Sequence, residues 1–146
     1  PGTYSWDYVE RGPVWQIRIA RLRDADLPQI LYSTRETSTG EALDDVAGAV
    51  WKLDVGQRHL DANVIYLPPA AEIATHVGPD LDVLLHVVSG EGALTTDSGC
   101  LTLTVGAIVW LPRRSRRSIT AGATGLRYLS VHPKRPALSI GLTPTR

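Results

Sequence analysis

The chain has 146 residues, 15 Lys plus Arg set against 15 Asp plus Glu, and an apolar share of 43%, the makeup of a globular domain with a proper core. A net charge of zero argues against a basic nucleic-acid binder, and the single cysteine, Cys100, excludes an internal disulfide and fits a reducing, cytoplasmic setting. No apolar run approaches the roughly 18 residues of a membrane span, and the N-terminal stretch lacks the basic start and apolar core of a signal peptide.

Sheet signals dominate from the start. In "VWQIRIARL", Trp15, Ile17 and Ile19 alternate with Gln16 and Arg18, the period-two pattern of a half-buried strand. The stretch from Asp24 to Gly48 changes character: Asp26 is placed to cap a short helical turn with Pro28 near its start, so this connector is expected to hold one or two short helices. Residues 1–45 therefore read as an N-terminal extension of strand plus short helix that packs on a barrel, and residues 46–146 as the barrel itself.

From Val50 onward short apolar runs return at regular spacing: "AVWKLDV", "LDANVIYL", "DVLLHVVSG", "GALTTD", "CLTLTV", "AIVWLP", "RSITAG", "LRYLSVH" and "PALSIGL", divided by Gly, Pro, Asp or Ser. Many short strands between turn signals mean an all-β sandwich or barrel. "TTDSGCLTLTVG" predicts a hairpin turning at Asp97, Ser98 and Gly99, and Pro112 ends the strand of "VGAIVWLPRR" because it cannot donate to a ladder.

Between Leu67 and Ile119 two spaced motifs emerge. "PPAAEIATHVGPDLDVLLHVVSG" and "GAIVWLPRRSRRSITA" follow the frames G-x5-H-x-H-x4-E-x6-G and G-x5-P-x-G-x2-H-x3-N, and over these fifty or so residues the chain resembles the cupin superfamily, small jelly-roll barrels. His76, Gly90, Gly106 and Pro112 match. Ala70 stands at the opening glycine, Gly78 at the second histidine and Val83 at the glutamate; in the second motif Arg114 stands at the inner glycine, Arg117 at the histidine and Ala121 at the asparagine. The resemblance implies a cupin-type jelly-roll β-barrel. It also implies a divalent metal held by two histidines and a carboxylate of the first motif and one histidine of the second; of these four positions only His76 carries a ligand, so the expectation is a barrel without a metal cofactor.

A metal-dependent cupin enzyme, a dioxygenase or isomerase whose divalent ion is held by other residues, is the alternative. Asp82 precedes the lost glutamate position and His86 lies four residues on, so both share one face of a strand. With a bulge or slip that turned this face inward, His76, Asp82 and His86 would form a two-histidine, one-carboxylate set, at the cost of turning Val83, Leu85 and Val87 outward.

The run "RRSRRS" at 113–118 cannot aim all its guanidinium groups into one pocket, since alternation divides them between two faces. Arg117 is placed to point inward, where its cation repels a metal ion but accepts the two oxygens of a carboxylate or phosphate. His76, Arg117 and Trp110 are thus the expected ligand-binding residues of a small-molecule, anion-binding barrel, with Tyr66 expected in the core. Metal-free sugar epimerases among the proteins it resembles use a histidine base and an arginine, which gives His76 and Arg117 an alternative catalytic role. Both faces of "DVLLHVVS" are rich in apolar residues, so a homodimer is expected, with no nucleic-acid or membrane partner.

Overall fold

A computed structural model describes residues 4–11, 14–21, 27–35 and 47–135. Contacts divide the chain into two units, Pro1–Leu31 and Tyr32–Arg146. The first contains a two-stranded antiparallel hairpin, β1 (Tyr4–Arg11) with β2 (Val14–Arg21), in which Tyr4 pairs with Arg21 and Arg11 with Val14.

The second unit holds seven strands: β3 (Gly48–Lys52), β4 (Leu60–Leu67), β5 (Glu72–Val77), β6 (Val83–Thr96), β7 (Gly99–Leu103), β8 (Ile108–Leu111) and β9 (Arg116–Pro133). All pairings are antiparallel, in the order β3-β4-β9-β6-β7, with β5 added to β9 and β8 to β6. The two long strands organise the barrel. The first half of β6 pairs with β8 and the end of β9, and its second half with β7 and the start of β9. Register shifts at Val87/Ser89 and Gly90/Gly92 let β6 bend from one layer into the other.

Two features differ from the sequence expectation. "DVLLHVVSG" and "GALTTD" fuse into one 14-residue strand, and "RSITAG" and "LRYLSVH" into one of 18 residues, because Gly90, Gly92 and Gly125 act as bends within strands rather than as turns between them. Among the described residues there is no helix: 27–35 run irregularly, with a turn at Thr34 and Arg35, while Asp26, residues 36–46 and "PALSIGL" lie outside the described residues. The hairpin between β6 and β7 turns at Asp97 and Ser98, with Thr96 opposite Gly99, and β8 stops before Pro112.

Alternation along β6 sets the core. Val83, Leu85 and Val87 face inward at 7%, 1% and 0% exposure and join Leu67, Leu94, Leu103, Leu111, Ile119, Ala121, Leu126 and Tyr128 in one cluster. Leu84, between them, faces outward beside Ile108 and Trp110, all three exposed.

Three tight turns frame the barrel. Ala71 N donates to Pro68 O, Ala107 N to Thr104 O and Ser115 N to Pro112 O, and the third residue of each turn is left-handed: Ala70 at φ 60°, Gly106 at 87° and Arg114 at 59°. With Gly90 at 74°, every position where the two motifs carry a glycine outside the ligand set has positive φ here, whether or not this chain kept the glycine.

Candidate functional site: an arginine inside the barrel

The β5–β6 and β8–β9 turns are laced together. Gly78 N donates to Ser115 O at 2.9 Å, Arg114 N to Pro79 O at 2.8 Å, and Arg113 N to the Asp82 carboxylate at 2.9 Å. This lacing brings Gly78, buried, against the beginning of β9.

Arg117 lies on the inner face of β9, opposite Thr96 of β6 and His76 of β5, in line with Ile119 opposite Leu94. It is 6% exposed, while Arg113, Arg114 and Arg116 are exposed. Its guanidinium fills the room left by Gly78: a Cβ built there would stand 2.4–2.8 Å from Nη1, Cζ and Nη2 of Arg117. At these two motif positions, Gly78 leaves room and Arg117 supplies a long side chain that occupies it.

Arg117 Nη1 donates to Ser115 Oγ at 2.7 Å, and among the described residues no carboxylate lies within 4.0 Å of the guanidinium. Burial lowers its pKa from the ordinary arginine value, and Tyr128 pulls it back up. Tyr128, 6% exposed on the inner face beside Val87, has its phenol pushed up to about 12, first by burial, with the opposing attraction of Arg117. The barrel interior therefore holds a fixed cation within electrostatic reach of a phenol that keeps its proton at neutral pH.

His76 sits across the β5–β9 ladder from Arg117 but is exposed, and its Nδ1 lies 2.9 Å from Ala74 O. A carbonyl only accepts, so Nδ1 carries the proton and Nε2 is left as the basic nitrogen.

The other sequence candidates fall elsewhere. Asp82 is exposed and caps the β8–β9 turn through Arg113 N, and His86 is half-buried on the outer face opposite Ile108 and Leu129. The set His76, Asp82 and His86 is not assembled, because the bulges of β6 come after His86 rather than before Asp82, and Val83, Leu85 and Val87 keep the inward face. Trp110 is 64% exposed on the outer face and does not line the interior. Tyr66 is half-buried outside the core cluster, with Arg127 Cζ 5.6 Å from its ring centroid. Ser115 entered the site unannounced as the hydrogen-bond partner of Arg117; the "RRSRRS" alternation puts it on the same side as Arg117 and was the available signal.

A divalent ion does not fit this interior. Among the described residues no three His, Cys, Asp or Glu side chains gather, and the guanidinium of Arg117 fills the volume beside Gly78.

No family sequence model and no curated protein matches the chain. Solved structures do. A double-stranded β-helix domain protein from Klebsiella pneumoniae is 19% identical, with a TM-score of 0.54 over 73% of this chain and 90% of that one. A cupin-2 domain protein from Shewanella frigidimarina is 12% identical, with a TM-score of 0.54 over 71% of this chain and 95% of the other. The chain has a cupin fold. The Cnp3 cupin domain of Schizosaccharomyces pombe, 14% identical, matches at a TM-score of 0.53 over 90% of this chain and 88% of its own. At such identities the likeness establishes the cupin fold alone.

Proposed function

We propose that this cupin fold serves a metal-independent protein that binds a small anionic metabolite through Arg117. One observation carries this: an arginine residue 6% exposed overall, its guanidinium seated in the volume of a missing side chain, with a hydroxyl but no carboxylate among its described partners. A buried cation without a counter-charge is costly, and an incoming carboxylate or phosphate removes that cost while meeting the planar donor fork in two places. The Tyr128 hydroxyl, held protonated by burial, supplies a further donor, and Val83, Leu85 and Leu111 give the interior its apolar wall.

A screen of carboxylate and phosphate metabolites by thermal shift tests the proposal. An anion at 100 times its Kd raises stability by about 2.7 kcal/mol, and Arg117→Gln, which keeps bulk and hydrogen bonding but not charge, is expected to abolish the shift. A shift that persists in Arg117→Gln overturns the reading, as does a rise in Tm on loading with iron, manganese, nickel or zinc.

A second reading has its own observation. His76 faces Arg117 across the ladder with Nδ1 turned to Ala74 O and Nε2 left free of that contact, the arrangement of a general base beside a cation that stabilises developing negative charge, so a metal-free isomerase or epimerase is the enzymatic form of the same site. Proton exchange from the α-carbon of a bound carbonyl ligand into deuterated water, lost in His76→Gln while binding is kept, is its measurement.

A homodimer belongs to this proposal. Leu84, Ile108 and Trp110 form an exposed apolar strip where β8 pairs only with β6 among the described residues, and a net charge of zero sets up no long-range repulsion between copies. Light scattering that gives twice the chain mass, reduced to one chain by Trp110→Glu, is the expected result.

A further inference from the structure

We infer that the cleft between the β5–β6 turn and the end of β9 is a second binding site, for an organic anion with a flat apolar body such as an aryl carboxylate. Its volume of about 670 Å³ lies within the range of small-molecule pockets, and it is lined by Pro79, Asp80, Leu81, Pro133, Lys134 and Arg135. Three of these are apolar, and two of those are proline rings, which present flat faces with no rotamer to freeze. The remaining three carry two positive charges against one negative, and among the described residues neither Lys134 nor Arg135 lies within 4.0 Å of a carboxylate.

The walls are fixed in advance of any ligand. Pro79 O accepts from Arg114 N, Lys134 N donates to His59 O at 2.9 Å, and Leu81 packs on the barrel core. Both faces are thus tied to neighbouring backbone, at the β8–β9 turn and just ahead of β4, so little ordering cost remains for a ligand to meet. The apolar lining residues select for a ring and the two cations for a negative charge on it. Inorganic phosphate or acetate satisfies only the cations, and an uncharged ring only the apolar lining.

This inference does not depend on Arg117, and one titration separates the two. Benzoate is added to the 15N-labelled full chain, with acetate and benzyl alcohol as comparators. The amides of Asp80, Leu81, Lys134 and Arg135 are expected to shift, with benzoate at least about fivefold tighter than either comparator, since ring burial and charge pairing are each worth roughly 1 kcal/mol. The double variant Lys134→Gln, Arg135→Gln, at exposed positions, is expected to weaken benzoate by about fivefold and leave benzyl alcohol unchanged. In Arg117→Gln the cleft shifts persist. Equal affinity for acetate and benzoate, an undiminished response in the double variant, or shifts that vanish in Arg117→Gln would each overturn the assignment.

Discussion

Gly78 and Gly90 are both glycines whose absent side chain leaves no empty space, yet different things fill it. At Gly90 the intruder is backbone: a Cβ would stand 2.1 Å from Gly125 O, at a residue whose φ is +74°. At Gly78 it is the far end of the Arg117 side chain. The first glycine lets the bends of β6 and β9 approach and closes an apolar part of the barrel near Leu67 and Leu126; the second makes room for a charge. A rigid contact and an adjustable one should respond differently to the same added methyl group.

The largest effect is expected at the rigid contact. Gly90→Ala must move backbone and adopt a left-handed conformation, so a loss of about 4 kcal/mol in urea denaturation is expected. A cost below roughly 1 kcal/mol would mean that the strands can part at no penalty and that the comparison fails on its stiff side.

Next comes the interior phenol. The folded pKa of Tyr128, about 12, exceeds the ordinary 10.0, so the folded state holds this proton more tightly than the unfolded chain. Its contribution is fully present below pH 10 and is lost as pH rises towards 12, amounting to roughly 2–3 kcal/mol by linkage. Tyr128→Phe should flatten that part of the stability curve, and an identical alkaline loss in both proteins would show that the phenol is not desolvated.

At the adjustable contact Gly78→Ala should cost only about 1–2 kcal/mol, because the guanidinium swings aside. The sharper readout is coupling: in an Arg117→Ala background the three atoms nearest the added methyl are gone, so the two changes together should cost less than their sum by about 1 kcal/mol. Strict additivity would separate Gly78 from Arg117 and remove the structural basis of the anion site.

The same contrast explains what the sequence made legible. The strand run "DVLLHVVS" announced its inward face through Val83, Leu85 and Val87, and burial obeyed, since misplacing three aliphatic side chains outweighs any gain from bringing Asp82 and His86 inside. Motif spacing located Gly90, Gly106 and Pro112. The fusion of runs into β6 and β9 was not legible, because a glycine that bends a strand and one that ends it look alike in one dimension. Nor was the fit of Arg117 against Gly78: the two are 39 positions apart in sequence, and only the lacing of the β5–β6 and β8–β9 turns puts them in contact.

The smallest effect has the opposite sign. Ala70 and Arg114 occupy the same place in their turns as Gly106 does in its own, three residues with φ of 60°, 59° and 87° under closely similar hydrogen bonds, but two of them carry a Cβ that crowds the neighbouring carbonyl. Replacing either by glycine relieves that crowding and adds freedom to the unfolded chain, two changes that partly cancel. A net gain of about 0.5–1 kcal/mol is therefore expected from Ala70→Gly and from Arg114→Gly, and a loss of similar size from Gly106→Ala, whose Cβ would meet nothing within 4 Å and so isolates the backbone contribution. If Arg114→Gly instead destabilised the protein while Ala70→Gly stabilised it, the Arg114 side chain would have to make a favourable contact at the barrel end beside Pro79, and the frame and the site would no longer be separable there.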